Sequence, residues 1–235
     1  MKKDSRNKKS SKTFWNKEYQ KGEHLNLSEK PSEDLLKFFR WIDRNEPETA
    51  PNKNSVVLDL GCGNGRNLAY MINQFNVKGI GYDISEEAIN QARKSNPSAE
   101  WKTRSIAGKI DLPDESTDMV LDMMSSHFLN EEERNILLEE LNRIIKPNGW
   151  LFFKSFLREG DLHAKRLLEK NPSQEKGSYI HPRIGVQEHT WTTDEIKKFF
   201  SPYFEIRKVE KSHLHMLRGK AFKRRTVTVY LQKKY

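Results

Sequence analysis

The chain has 235 residues, 35% of them apolar and 32% charged, with 42 Lys and Arg against 33 Asp and Glu and a net charge of +9. No apolar run approaches the roughly 18 residues of a membrane span, and no short apolar block follows the basic start, so neither a span nor a secretory signal is expected. A single cysteine, Cys62, excludes an internal disulfide and a thiolate zinc site, which suits a reducing, cytoplasmic setting.

The charge is unevenly placed. Residues 1–12 carry +5, residues 218–235 carry +7, and the body between them carries −3. Any anionic partner is therefore to be sought at the ends. Residues 1–12 offer almost nothing to bury and read as a disordered basic arm. The rest, 13–235, reads as a single domain that opens with a helical lid over 13–45. Phe14, Trp15 and Tyr19 lie on a short helical segment there, and Leu35, Phe38, Phe39 and Ile42 recur at helical spacing. A polar linker with two prolines follows at 46–54.

From 55 to 157 strands and helices alternate. Residues 56–60 form an apolar strand that runs into Gly61-Cys62-Gly63-Asn64-Gly65, and 66–75 reads as helix. A second strand over 77–83 ends in Asp83. Ser85 is placed to cap the next helix, with Ile89 and Ala92 facing inward. Residues 99–106 make a third strand, and Met119, Val120 and Leu121 centre a fourth. Asn130 caps a helix whose stripe is Leu137, Leu141, Ile144 and Ile145, stopped by Lys146-Pro147-Asn148-Gly149. Residues 150–156 are strand five. Such alternation predicts an α/β three-layer sandwich with a parallel sheet.

The last third breaks the rhythm. An insertion over 158–192 holds a helix at 162–168 and a long irregular stretch at 171–190, and loops of that length inside a compact domain are usually functional or disordered. A short helix over 193–200 precedes a C-terminal hairpin, 203–235, whose strands 203–211 and 226–232 flank a basic turn.

The glycine loop carries the chemistry. Glycines between a strand and a helix let a ligand approach the main chain, and an acid ending the next strand can accept two ribose hydroxyls. Dinucleotide folds use Gly-x-Gly-x-x-Gly, but Arg66 stands where the third glycine would fall; here that glycine is Gly65, and Asp59 precedes the loop by two residues. The pattern resembles class I S-adenosylmethionine-dependent methyltransferases. Three further stretches extend the resemblance over residues 55–157: Gly-Ile-Gly-Tyr-Asp-Ile-Ser, Leu-Pro-Asp-Glu-Ser-Thr-Asp, and Glu-Leu-Asn-Arg-Ile-Ile-Lys-Pro-Asn-Gly-Trp-Leu.

That resemblance implies a Rossmann-like seven-stranded sheet of order 3-2-1-4-5-7-6 with strand seven antiparallel, and S-adenosylmethionine as cofactor. It implies that Asp59 orients the loop and the cofactor's amino group. Gly61, Cys62, Gly63 and Gly65 would line the methionine part, Asp83 would hold the ribose, and Ile84 would lie against the adenine. Ser105 and Ile106 stand where the family places a further adenine contact. Asp122, ending strand four, falls where family members touch cofactor or substrate.

Asp122, His127 and His181 are the candidates for a general base, and the residues alone do not choose among them. His163, His181, His189, His213 and His215 match no compact zinc pattern, so no metal is expected. Strand six should run parallel to the first five and so carry the basic turn to the cofactor face. His213, His215, Arg218, Lys220, Lys223, Arg224 and Arg225 are therefore candidate substrate-binding residues for an anionic acceptor, either RNA or a phosphorylated or carboxylated small molecule. Segments 12–30 and 171–190 are expected to cover cofactor and acceptor. Two rival readings are a non-catalytic RNA-binding member of the same fold and a nicotinamide-dependent oxidoreductase.

Overall fold

The computed structural model describes residues 4–22, 28–213, 216–217, 220–221 and 223–235. Seven strands form the main sheet: β1 (Val56–Leu60), β2 (Lys78–Asp83), β3 (Glu100–Thr103), β4 (Thr117–Met123), β5 (Ile145–Phe156), β6 (Phe204–Lys211) and β7 (Thr226–Lys233). Their order is β3-β2-β1-β4-β5-β7-β6. The first five are parallel, and β7 lies antiparallel between β5 and β6. This is the order expected from the sequence. The helices among the described residues are α1 (Asp4–Lys21), α2 (Glu33–Asn45), α3 (Arg66–Phe75), α4 (Glu86–Ser95), α5 (Glu131–Ile144), α6 (Leu162–Lys170) and α7 (Thr193–Phe200).

The two faces of the sheet are sorted by the strand period of two. Val57, Met119, Leu121, Trp150, Phe152 and Tyr230 join α2, α3 and α4 in one core. Their neighbours Leu58, Val120, Leu151, Phe153 and Val229 join α5 and α7 in the other. On the first face α2 drives Phe38 into an aromatic nest. Its ring centroid lies 5.6 Å from Trp150, 5.0 Å from Phe152 and 4.6 Å from Tyr230. The helical stripe Leu35, Phe38, Phe39 and Ile42 is wholly buried, as its spacing implies.

Four details differ from the sequence reading. Helix α1 begins at Asp4, inside the segment expected to be a disordered arm. No Gly or Pro interrupts residues 4–21, so the turn that carries the aromatic groups propagates backward. The stretch 171–190 is less irregular than expected: Ser178–Ile180 pairs antiparallel with Gln187–His189. Strand β3 is shorter than 99–106. Ile145, expected on the stripe of α5, instead opens β5 and pairs with Thr117.

The strand ends decide where a ligand can sit. Strand β1 has β2 on one side and β4 on the other, so the connections out of β1 and β4 leave to opposite faces and open a crevice at their carboxyl ends.

Phe38→Ala would leave a large void among three aromatic rings. It should destabilise the protein by about 3–5 kcal/mol, read as a lower urea midpoint at unchanged m-value.

Candidate functional site

The loop after β1 is possible only with glycine. Gly61, Gly63 and Gly65 have φ of 66°, 57° and 76°, and a Cβ on them would collide with Ser125, Tyr19 and Trp101 respectively. The loop is tied down from the neighbouring strand. The Gly63 amide donates to Asp83 Oδ2 at 2.9 Å, and the Ser85 amide donates to Oδ1 of the same carboxylate at 2.8 Å. Asp83 thus connects the glycine loop to the first turn of α4, which Ser85 caps through the Ala88 amide. Cys62 is buried between the glycines, and burial with two nearby carboxylates pushes its thiol pKa up. It is a small residue that fits there, not a nucleophile.

Three carboxylates are buried together at these strand ends. Burial, with Asp83 and Asp122 nearby, pushes Asp59 up to about 8, and its Oδ2 has no partner among the described residues. Burial also raises Asp83, against the lowering effect of its amide donors. Asp122 Oδ1 accepts from the Ser125 hydroxyl at 2.6 Å and the Ser126 amide at 3.1 Å, fixing the turn after β4. A concentration of buried carboxyls, one of them with an unpartnered oxygen, suits a ligand that brings positive charge and favours their ionised forms. The glycine cradle and these acids therefore fit S-adenosylmethionine, whose sulfonium and ammonium are both cationic.

A cavity of about 760 Å³ opens over this floor. Gly61, Cys62, Gly63, Asp83, Ile84, Ser105 and Ile106 line it, as the resemblance implies for the cofactor, whereas Asp59, Gly65 and Asp122 lie behind the lining. Two walls come from the segments expected to act as covers. Helix α1 supplies Phe14, Trp15 and Tyr19, and the turn of the small hairpin supplies residues 183–188. The helix is held in place by polar contacts. The Ser85 hydroxyl donates to Asn16 Oδ1 at 2.8 Å, and Gln91 Nε2 donates to the Tyr19 carbonyl at 2.7 Å. The sequence reading gave no polar role to this helix. Asn16 and Tyr19, three apart and so on one helix face, were the available signal.

The candidate bases are placed differently. His127 lines the cavity, is 1% exposed, and has no partner on either ring nitrogen among the described residues. Burial, with Arg224, His189 and Arg134 around it, pulls it down to about 3, so it is a neutral imidazole. His181 also lines the cavity, and its Nδ1 accepts from the amides of Arg183 at 3.3 Å and Ile184 at 3.4 Å, which folds the hairpin turn. Asp122 accepts from Ser125 and Ser126 beneath the lining.

The described residues of the basic turn take different places. Arg224 reaches the cavity and stacks on Phe156, its guanidinium carbon 3.8 Å from the ring centroid. Arg225, its neighbour, instead donates to the carbonyls of Glu159 at 2.6 Å and Ser212 at 3.1 Å. Lys223 and His213 are exposed and do not line the cavity. His215 and Arg218 fall outside the described residues, as does the side chain of Lys220. Among the described residues no group of three His, Cys, Asp or Glu could hold a metal ion.

Comparison with known proteins agrees with this geometry. Residues 57–149 match the family model described as a methyltransferase domain. The chain is 24% identical over 142 residues to a fatty-acid O-methyltransferase of Mycolicibacterium smegmatis, covering 60% of this chain and 51% of that protein. It is 28% identical over 191 residues to a tRNA N(3)-methylcytidine methyltransferase of Schizosaccharomyces pombe, covering 72% and 60%. Across three curated relatives it matches, the chain spans 38%, 51% and 60% of their lengths. A solved S-adenosylmethionine-dependent methyltransferase from Methanosarcina mazei shares the fold at TM-score 0.65 and 23% identity, over 78% of this chain and 94% of its own. Glycine loop, sheet order and family model thus converge on residues 57–149 as a class I methyltransferase domain, with S-adenosylmethionine as its cofactor.

Proposed function

We propose that this chain transfers the methyl group of S-adenosylmethionine to an anionic acceptor, RNA or a phosphorylated or carboxylated small molecule. The observation that carries the reading is the glycine loop latched to Asp83 under a cavity large enough for cofactor and acceptor together. The cofactor supplies an electrophilic methyl carbon when bound. The chain has then to hold that carbon, align a nucleophile and keep water away.

Each task falls to named residues. Gly61 and Gly63 let the main chain approach the cofactor, Asp83 accepts the ribose hydroxyls, and Asp59 supplies a carboxyl behind the loop that ionises when a cationic ligand binds. Helix α1 and the hairpin turn cover the site from two sides. His127 is too weakly basic at about 3 to take a proton unaided. An acceptor that arrives already deprotonated therefore suits this site best. The relatives' names include a fatty acid and a tRNA as substrates, so kinship supports methyl transfer and leaves both acceptor classes in play. The rival nicotinamide reading has no comparable support.

Calorimetric titration should show S-adenosylhomocysteine binding and no heat with NAD; the reverse would replace this reading with the oxidoreductase one. Asp83→Ala should weaken that binding by about 1–3 kcal/mol, the loss of a charge-assisted acceptor for two hydroxyls. Unchanged affinity would remove Asp83 from the ribose site.

A proton should also leave on binding. Asp59 in the free protein is mostly protonated below about 8. A cationic ligand favours its ionised form, so affinity for S-adenosylmethionine should rise with pH up to about that value and then level off. Calorimetry at neutral pH in buffers of different ionisation enthalpy should detect this release in the native protein. In Asp59→Asn the Asp59 share of it should vanish.

A further inference from the structure

At the end of the cavity by the carboxyl end of β5, two cavity-lining residues, Arg224 and His127, hold buried nitrogens with no partner among the described residues. Phe156 is the pivot. Arg224 lies flat on its ring, and His127 meets it edge-on with centroids 5.1 Å apart. Arg224 is fixed at two of its three nitrogens. Nε donates to Asp161 Oδ2 at 3.3 Å, and Nη1 donates to the Tyr179 hydroxyl at 2.6 Å and lies 3.5 Å from Glu188 Oε2. Nη2 is buried with no partner among the described residues, and neither ring nitrogen of His127 has one. Buried polar groups are almost always paired, so a pair of orphans at a cavity wall points to a ligand.

We propose that this corner anchors the acceptor through a carboxylate, one oxygen on Arg224 Nη2 and the other on His127, and that the acceptor is a small acid with a flat, apolar body. The proposal rests on the methyltransferase reading and narrows its acceptor.

The charge balance selects a carboxylate over a phosphate. Arg224 has two buried carboxylates beside it, Asp161 and Glu188, while Arg225 spends its guanidinium on two carbonyls and its amide on Asp161, so the charges of the described residues at this corner cancel. One negative charge can be balanced by the cationic cofactor. A dianionic phosphate could not, and in a buried site the unmatched charge is strongly penalised. The donors number two, which matches the two oxygens of a carboxylate.

Among the described residues the same inventory disfavours a polymer. A nucleic acid strand needs several free cations along a groove. Yet Lys154 in the cavity wall is paired with Asp34 at 2.6 Å, and Arg225 is bonded to two carbonyls. The other cavity-lining arginines are Arg66, at the glycine loop, and Arg183, exposed on the hairpin turn, so they do not form a track with Arg224. The body of the ligand is set by the walls. Trp15 packs edge-on against Phe128 at 5.1 Å, and Phe128 lies 4.0 Å from His127, so apolar ring surface surrounds the two donors.

The test is a titration of the full chain, saturated with sinefungin, a cofactor analogue that carries an ammonium in place of the sulfonium, with benzoate, benzamide, phenyl phosphate and a short single-stranded RNA. Benzoate should bind about ten- to hundredfold more tightly than benzamide, the usual worth of a charge-assisted hydrogen bond. Arg224→Gln should abolish that preference. Because Asp161 and Glu188 would lose their partner and the fold could suffer, His127→Phe is the second variant: it keeps a flat ring, deletes both nitrogens, and should reduce benzoate affinity about tenfold or more. In both variants S-adenosylhomocysteine should bind as in the native protein. Equal binding of benzoate and benzamide, tighter binding of phenyl phosphate or RNA, or benzoate affinity untouched by His127→Phe would each overturn the carboxylate anchor. If the native protein fails to bind S-adenosylhomocysteine, the methyltransferase reading falls instead, and benzoate against benzamide on the free protein still decides the anchor.

Discussion

The bond from the Gly63 amide to Asp83 is the contact on which the site depends. It joins a loop that only glycine can form to the end of the neighbouring strand, and the same carboxylate receives the first amide of the turn into α4. Burying a carboxylate is unfavourable, and here backbone donors offset the cost. Asp59 has no such compensation on Oδ2, which is why its proton is held so tightly. The floor of the site is therefore a place where one carboxyl is held protonated at neutral pH and where a cationic ligand would favour its ionised form. The same logic explains Asp122, which is buried but satisfied and so serves to fix the turn after β4.

The roof is built by a different device. Glu175 collects donors from segments far apart in the chain. Arg134 pairs with it, the Glu131 amide and Gln187 Nε2 donate to it at 3.0 and 2.9 Å, and His189 and Ser178 lie 3.0 and 2.9 Å away. These partners hold Glu175 down to about 2. The network clamps the small hairpin onto the start of α5 and so sets the wall that faces α1. A buried ion pair adds little net stability against a packed apolar alternative, but it specifies one geometry.

The basic surplus of the chain looks like an anion-binding feature in the sequence, and among the described residues its members take different places around the site. Of the cations in the turn before β7, Arg225 is absorbed by main-chain carbonyls and Lys223 faces solvent. Arg224 alone among the described ones enters the cavity, and it does so with two buried carboxylates beside it. Net charge describes solubility and long-range attraction; a buried site is decided by pairing.

The sequence by itself determined the sheet and the cofactor site. Period-two strands, the caps at Ser85 and Asn130, and the spacing of Gly61, Gly63 and Gly65 before Asp83 are local signals, each readable within a few residues because backbone geometry enforces them. Helix α1 was legible in its aromatic turn but not in its extent, since a stretch of Lys, Ser and Asn is compatible with coil or helix until something anchors one end. The acceptor side lay beyond local reading. Arg224 and Arg225 are adjacent and alike in sequence, yet one lines a cavity and the other braces a loop. Their partners, Asp161, Tyr179 and Glu188 for the first, Glu159 for the second, come from an insertion 36 to 66 residues away. Which side chain stays unpaired depends on how all of these meet, and only the tertiary structure settles that.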